Sequence, residues 1–322
     1  MSGEVALIGG GRVAQALARV LSRRGRVRVW AERREVDVGA SAPLVVSPSL
    51  EEACAGAAVV VFALPIRDLR AVARAYGEVA TGDQVVLHTT RGVEAGFVLP
   101  HQILRAECCV RKVAALGGPL YAADLAEGRP VAAVVASRYD EPFTVAKAWV
   151  HGTPVMLHPS RDIIGVETSA AVANVAAIAV GMAEALQLGE TVRGVLLTRG
   201  LTEAARLGGA LGADVATFTS LAGVGELMPR PLSVHDHHVQ LGLALGRGRA
   251  VEAALADVGG NLDGVVTARE GVLLGAARGL DIPLLTGVDA VLRGELSLAA
   301  ALEGMLHLGL DLGAAQRAVG SR

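Results

Sequence analysis

Short apolar runs alternate with amphipathic stretches through the first half of the chain. Val5-Ala-Leu-Ile8 is an apolar run closed by glycines, and Val13 to Leu21 then repeats apolar residues at helical spacing. Val27-Arg-Val-Trp30 reads as a second strand. Ala58-Val-Val-Val-Phe-Ala-Leu64 and Gln84-Val-Val-Leu-His88 are continuous apolar runs, the pattern of strands whose two faces are both covered by helices. Between them Ile66 to Tyr76 reads as a helix, and Lys112–Leu116, Val131–Ala136 and Pro154–His158 read as later, shorter strands. Strands alternating with helices predict a doubly wound α/β sheet.

After about residue 160 the pattern changes, and few strand signals remain. Ile163–Leu188, Thr191–Leu211, Val215–Ala222, Val239–Leu245, Val251–Val258, Val265–Arg278 and Val288–Arg293 all read as helices. The expected organisation is an α/β domain over residues 1–160 and an all-helical domain over residues 161–322, meeting near Pro159-Ser160. The longest apolar stretch, from Glu167 to Glu184, is interrupted by Asn174. It falls short of the roughly 20 residues that span a bilayer and reads as a buried helix.

The first strand is followed by Gly9-Gly-Gly-Arg-Val-Ala14, a G-x-G-x-x-A pattern opening a helix. This is where a dinucleotide's pyrophosphate needs it: Gly9 for a tight turn, Gly11 for close backbone approach, Ala14 for close helix–sheet packing, with Arg12 and Val13 in the first turn. A Rossmann-like domain binding NAD or NADP is expected. The second strand ends at Trp30-Ala-Glu-Arg-Arg34. Glu32 stands where an acid accepts the ribose hydroxyls of NAD, whereas Arg33 and Arg34 suit the extra phosphate of NADP. Solvated loop charges are the third reading, and the sequence leans slightly to NAD.

Composition narrows the partners. Of 322 residues 52% are hydrophobic and the net charge is −2, so there is no basic field to draw nucleic acid or an acidic membrane. The three cysteines, Cys54 and the adjacent Cys108 and Cys109, have no metal-ligand spacing; the adjacent pair would face opposite sides of a strand. Reduced thiols and a cytoplasmic protein without a signal peptide are expected.

Several segments carry a family resemblance. In the second half they are Gly165-Val-Glu-Thr-Ser-Ala-Ala-Val-Ala-Asn-Val175, Thr198-Arg-Gly-Leu201, Ala205-Arg-Leu-Gly208, Ala210-Leu-Gly-Ala-Asp214, Leu221-Ala-Gly-Val-Gly-Glu-Leu227 and Asn261-Leu-Asp-Gly264. In the first half they are Ala63-Leu-Pro65, Thr90-Arg-Gly-Val-Glu94, Gly117-Gly-Pro-Leu-Tyr-Ala122 and Glu127-Gly-Arg-Pro130. In this order they resemble bacterial NAD(P)-dependent glycerol-3-phosphate dehydrogenase over nearly the whole chain. The resemblance implies an oxidoreductase that moves a hydride between nicotinamide and a small ketone or alcohol, dihydroxyacetone phosphate and glycerol 3-phosphate in the family. It implies a homodimer, and cofactor contacts from Ala63, Pro65, Ala122 and Asp263 beside the glycine loop, Glu32 and Arg33.

The departures cluster where that chemistry sits. The family's catalytic lysine aligns with Ala173, the lysine of its Lys-Gly loop with Arg91, its small polar residue after Gly-Pro with Leu120, and the Asp of Gly-Asp-Leu with Glu226. The Ser-Arg-Asn expected at the substrate phosphate aligns with Asp236, His237 and His238, while Asn174 is kept. Reducing a ketone creates alkoxide charge that a positioned acid or cation must neutralise, and Ala173 carries neither. Two readings follow. In one, a reductase for an altered substrate uses His237 or His238 as acid/base, with Glu226, and with Asn174 or Arg91 orienting the carbonyl; Arg91, Gly118, Leu120, Asp236, His237 and His238 line its substrate. In the other, the chain is a catalytically inactive dinucleotide binder acting as sensor or partner. No metal is expected, because the His235–His238 run lacks further ligands to complete a shell. His88 reads as lining a cleft or satisfying a loop carbonyl, and Glu167 as facing a cleft or forming a surface ion pair.

Overall fold

A computed structural model describes residues 4–32, 43–230, 233, 236–260 and 262–306. Its eight-stranded sheet contains β1 (Glu4–Ile8), β2 (Val27–Trp30), β3 (Leu44–Val46), β4 (Ala57–Phe62), β5 (Val85–His88), β6 (Lys112–Gly117), β7 (Val131–Ala136) and β8 (Val155–Ser160). The strand order is β3-β2-β1-β4-β5-β6-β7-β8. Neighbours are parallel except β6 and β7, which pair antiparallel, Leu116 opposite Val135. The expected doubly wound sheet is therefore mixed. The chain turns back through Gly118–Pro130 without the crossover that a parallel partner would need.

The helices of this part are α1 (Arg12–Leu21), α2 (Leu50–Cys54), α3 (Ile66–Gly77), α4 (Pro100–Glu107), α5 (Ala122–Ala126) and α6 (Glu141–Val150). Side chains alternate across the central strands. Val5, Leu7, Val59, Val61, Val85 and Leu87 enter one apolar layer with Leu17 and Val20 of α1 and Ala146 and Trp149 of α6. Ala6, Ile8, Val60, Phe62 and Val86 enter the other, with Leu69 and Val72 of α3 and Ile103 and Leu104 of α4. Coverage on both faces is why these strands read as unbroken apolar runs. Each fully buried Val or Leu contributes on the order of 2 kcal/mol of hydrophobic stabilisation. Cys108 ends α4 rather than lying in a strand, its thiol donating to the Leu104 carbonyl, so the expected placement of the Cys108–Cys109 pair is corrected. All three cysteines are free, and burial pushes the Cys54 thiol up to about 12 against the pull of Arg28.

The remaining helices are α7 (Ile163–Ala185), α8 (Gly189–Ala210), α9 (Val224–Leu227), α10 (His237–Gly246), α11 (Val251–Val258), α12 (Asp263–Arg278), α13 (Pro283–Leu292) and α14 (Leu298–Leu306), with a 3-10 turn at Val215–Thr219 where a helix to Ala222 was expected. Helix α7 is long and apolar enough to cross a bilayer, but 94% of its most apolar window is buried. It meets α10 through glycines: a Cβ on Gly181 would sit 2.3 Å from the Val239 carbonyl oxygen, and one on Gly242 would sit 2.1 Å from that of Ile178. The chain forms two compact units. The first runs to Arg91 and from Val98 to Glu167; the second takes Gly92–Phe97 and the chain from Thr168 onward.

Candidate active site

The glycine loop lies between β1 and α1. Gly9 has φ +137°, and a Cβ there would lie 2.3 Å from the Ala63 carbonyl oxygen, so only glycine fits. Its N–H donates to the Trp30 carbonyl, while Ala63 donates to that of Ile8. Gly11 is the N-cap of α1 in extended conformation, with no side chain capping the helix and no acid in its first turn. A Cβ at Gly11 would meet nothing within 4 Å. Arg12 and Val13 open the helix, and Ala14 is fully buried against the sheet. Uncapped helix donors beneath an open glycine surface fit the pyrophosphate of a dinucleotide.

Ala63 and Pro65 follow β4, Pro65 capping α3, and the Thr90 hydroxyl donates to the Leu64 carbonyl between them. Ala122 is the first residue of α5, which packs on α1. Glu32 is exposed after β2. Arg33 and Arg34, and with them the basic half of the NAD-versus-NADP reading, lie outside the described residues.

The first unit also brings Arg91, Gly118 and Leu120 together. The Arg91 guanidinium donates to the carbonyls of Gly118, at 3.1 Å, and Leu120. The Leu120 side chain turns the other way, into the apolar layer beside α1 and α6. Leu120 as a substrate-lining side chain is thus corrected: an isobutyl group lowers its free energy by joining the core.

His88 and Glu167 neither line a surface nor pair on one. The Glu167 carboxylate is 2% exposed. It accepts the backbone N–H of His101 at 2.8 Å and meets His101 Nδ1 at 2.6 Å. His88 Nε2 lies 2.7 Å from its other side as an ion-pair contact, although its N–H is not aligned for a hydrogen bond. Burial drives the Glu167 pKa up, but His101 and His88 outweigh it and hold the carboxyl below its ordinary value.

In the second unit four side chains form a relay, three of them buried and Asp236 partly so. Arg230 sits one helical turn after Glu226 and donates from Nη2 to Oε1 of Glu226 at 2.6 Å, and from Nη1 to Oδ2 of Asp236 at 3.0 Å. Asp236 is the N-cap of α10, its Oδ1 accepting the N–H of His238 at 2.8 Å and of Val239 at 3.3 Å. Burial opposes its charge, but His238 and Arg230 overcome that and keep Asp236 ionised far into acid. Nδ1 of His238 lies 3.4 Å from Asp236 Oδ1, and its Nε2 accepts the N–H of Gly264 at 3.1 Å. A Cβ on Gly264 would stand 2.7 Å from the His238 ring and 3.0 Å from the Asn174 Cβ, which places α12, α10 and α7 in contact there. Asn174 is 1% exposed, Ala173 precedes it, and Asp263 heads α12 against Gly92.

Two expectations change. His238 as acid is corrected, because its Nε2 is engaged by the N–H of Gly264 and its Nδ1 lies beside Asp236. Asp236 as a phosphate ligand is corrected, because its carboxylate fills the first turn of α10. His237 is exposed, with Nδ1 3.3 Å from the Gly259 carbonyl oxygen. His235 lies outside the described residues, and among those described no cluster of His, Cys, Asp and Glu suits a metal. The sequence reading missed Arg230, although its four-residue spacing from Glu226 was a visible helical ion-pair signal. It also missed His101, which carries no such signal.

Comparison with known proteins follows the same division. The family model described as the NAD-dependent glycerol-3-phosphate dehydrogenase C-terminus matches residues 162–303, and the one for the N-terminus of that enzyme matches residues 36–142. A protein of Dechloromonas aromatica named glycerol-3-phosphate dehydrogenase [NAD(P)+] is 36% identical, with 94% of this chain and 97% of that protein covered. One of the same name from Rhodospirillum rubrum is 34% identical, with 94% and 91% covered. The crystal structure of glycerol-3-phosphate dehydrogenase from Coxiella burnetii superposes with a TM-score of 0.89 at 26% identity, with 95% of this chain and 99% of that one covered.

Proposed function

The chain belongs to the NAD-dependent glycerol-3-phosphate dehydrogenase family, and from that premise we propose that it reduces a small ketone to an alcohol, and runs the reverse reaction, with a substrate altered from the relatives' glycerol 3-phosphate. It is an oxidoreductase using NAD or NADP. The reading extends to a cytoplasmic homodimer whose first domain takes the cofactor and whose helical domain takes the substrate.

One observation carries the proposal: the loop Gly9–Ala14 keeps an open, uncapped helix start that suits a dinucleotide; the altered substrate rests on the resemblance, which sets Ala173, Glu226 and Asp236–His238 against the family's catalytic and phosphate-binding residues. NADH or NADPH, which the loop Gly9–Ala14 would hold by its pyrophosphate, would supply the hydride and be left as the oxidised nicotinamide. The substrate's carbonyl carbon gains a C–H bond, and its oxygen takes a proton drawn from water. Ala173 gives no proton and His238 Nε2 is engaged by Gly264, so the protein's part at that oxygen is hydrogen bonding from the Asn174 amide. Arg230 holds the Glu226 and Asp236 side chains in place, and acts as a positioning residue. The relatives are named as dehydrogenases, and the inactive-binder reading gains nothing from them.

The test is oxidation of NADH and NADPH, followed by absorbance, over a panel of small hydroxyketones and ketones including dihydroxyacetone phosphate. Turnover with at least one carbonyl is expected. Silence across the panel in a protein whose Tm rises with cofactor overturns the proposal.

A further inference from the structure

Resting on the reductase reading, we propose that the buried cluster of Glu167, His88 and His101 positions the loop between β5 and α4, and through it Arg91, and so sets how tightly the ketone substrate is held. One carboxylate grips both ends of that loop. Its Oε1 meets Nε2 of His88, the last residue of β5, at 2.7 Å, and accepts the N–H of His101, in the first turn of α4, at 2.8 Å. Its Oε2 meets His101 Nδ1 at 2.6 Å. The residues from His88 to Arg91 are tied down one after another. The Thr89 N–H donates to the Phe62 carbonyl and the Thr90 hydroxyl to that of Leu64, each at 2.9 Å. The Arg91 guanidinium then donates to the Gly118 carbonyl at 3.1 Å. A displacement of His88 is thus passed to Arg91 and to the turn at Gly118, both expected from the sequence to line the substrate.

Two further observations single out this loop. The chain passes between its compact units at Arg91/Gly92, at Phe97/Val98 and at Glu167/Thr168, so the carboxylate stands at one crossing and holds the segments that flank the others. The middle of the loop is also strained and separately tied. Buried Phe97 has φ +57°, the Gly96 N–H donates to Glu270 Oε2 at 2.7 Å, and a Cβ on Gly92 would lie 2.7 Å from that of Asp263. A bulky residue at positive φ persists only where its surroundings over-determine it, and such strain gathers at functional sites. Nor is a buried carboxylate the cheapest way to fill a core, since apolar side chains of similar volume often stabilise as well or better. What apolar groups lack is direction. A carboxylate between two imidazoles holds its partners to hydrogen-bonding distance, and a ~1 Å error in a positioning group costs up to about 100-fold in rate.

His88→Leu and His101→Leu each remove one side-chain contact with Glu167. His88→Gln and His101→Asn return a nitrogen to the place of the ring nitrogen that is lost. Amide hydrogen exchange and steady-state kinetics, with the carbonyl that wild type turns over best and with saturating cofactor, are measured on each variant and on wild type. The leucine variants should raise the KM for the ketone at least ~10-fold with kcat held within ~3-fold. They should speed exchange across residues 89–99 by ~10-fold and leave the glycine loop unchanged. The glutamine and asparagine variants should return both quantities to within ~3-fold of wild type. Unchanged KM and exchange in folded leucine variants overturns the inference. So does faster exchange spread over the whole first unit without recovery in the conservative variants, the mark of a merely structural cluster. If His88→Leu does not fold, His101→Leu decides alone, because the backbone contact of residue 101 with Glu167 is kept. Absence of turnover with every carbonyl overturns the reductase reading and the link to substrate, and exchange across residues 89–99 then decides whether the cluster positions the loop.

Discussion

Arg230 donates to Glu226 across 2.6 Å from one turn further along the chain, with side chains 6% and 0% exposed. Two ions so removed from water are stabilised only while both are present. Arg230→Met should therefore leave Glu226 and Asp236 as uncompensated buried carboxylates and cost about 3–5 kcal/mol in urea unfolding. The double variant Arg230→Met/Glu226→Gln should recover part of that loss, since one stranded charge is gone. Equal stability of wild type and Arg230→Met contradicts the relay.

Glu203 reaches from α8 to accept the N–H groups of Leu284 and Leu285 at the start of α13, at 2.7 and 2.9 Å. Burial raises its pKa to about 7, and the two backbone donors and neighbouring arginines only partly offset the rise. A carboxyl whose folded pKa exceeds its unfolded value binds more protons when folded, so its contribution is full below the unfolded value of 4.5 and falls as pH rises toward 7. Wild type should lose stability relative to Glu203→Gln between those limits, by at most about 3 kcal/mol. Parallel pH profiles of Tm for the two proteins contradict the assignment.

Glu167 works in the opposite sense. Its pKa is held below the ordinary 4.5 despite burial, so its contribution is present at neutral pH and is lost as pH falls through the folded value. Glu167→Gln should be destabilised by about 3 kcal/mol at pH 7, because one amide cannot serve both His88 and His101. Its acid unfolding arm below pH 4.5 should be flatter than that of wild type. An unchanged arm in chemical denaturation sinks this account of the cluster.

Gly9 tests the loop's geometry apart from its ligand. Alanine there would drive its Cβ to 2.3 Å from the Ala63 carbonyl oxygen at a φ of +137°. Gly9→Ala should cost about 2–3 kcal/mol or more of stability, combining the clash with backbone strain. A Tm equal to wild type contradicts the observed turn.

Much of this was legible in the chain, for physical reasons that differ by element. β7 was read at its full extent, Val131–Ala136, because a strand buried on both faces is a plain apolar run. Its direction was not, since alternation is the same whichever way a strand points. β3 escaped notice: three residues, two of them exposed valines, have no period to detect. α6 was passed over although Pro142 near its start marks a helix N-terminus. The glycine loop is local, and its spacing states its geometry. The polar relay is not. Glu226 and Arg230 share a helical turn, but Asp236 meets Arg230 from the N-cap of α10, a contact that no period announces. His88, His101 and Glu167 lie far apart in sequence and meet only through tertiary packing.

Cofactor binding at the loop Gly9–Ala14 is the claim on which the rest depends, and Gly11 probes it without disturbing the fold, since a Cβ there meets nothing within 4 Å. Calorimetric titration of NADH and NADPH into wild type and Gly11→Val is the direct measurement. Wild type should bind at least one of the two, and Gly11→Val should keep its Tm within about 2 °C yet bind at least ~100-fold more weakly, because the branched side chain covers the uncapped helix start. Equal affinity in the two proteins, or no heat of binding with wild type, would contradict it.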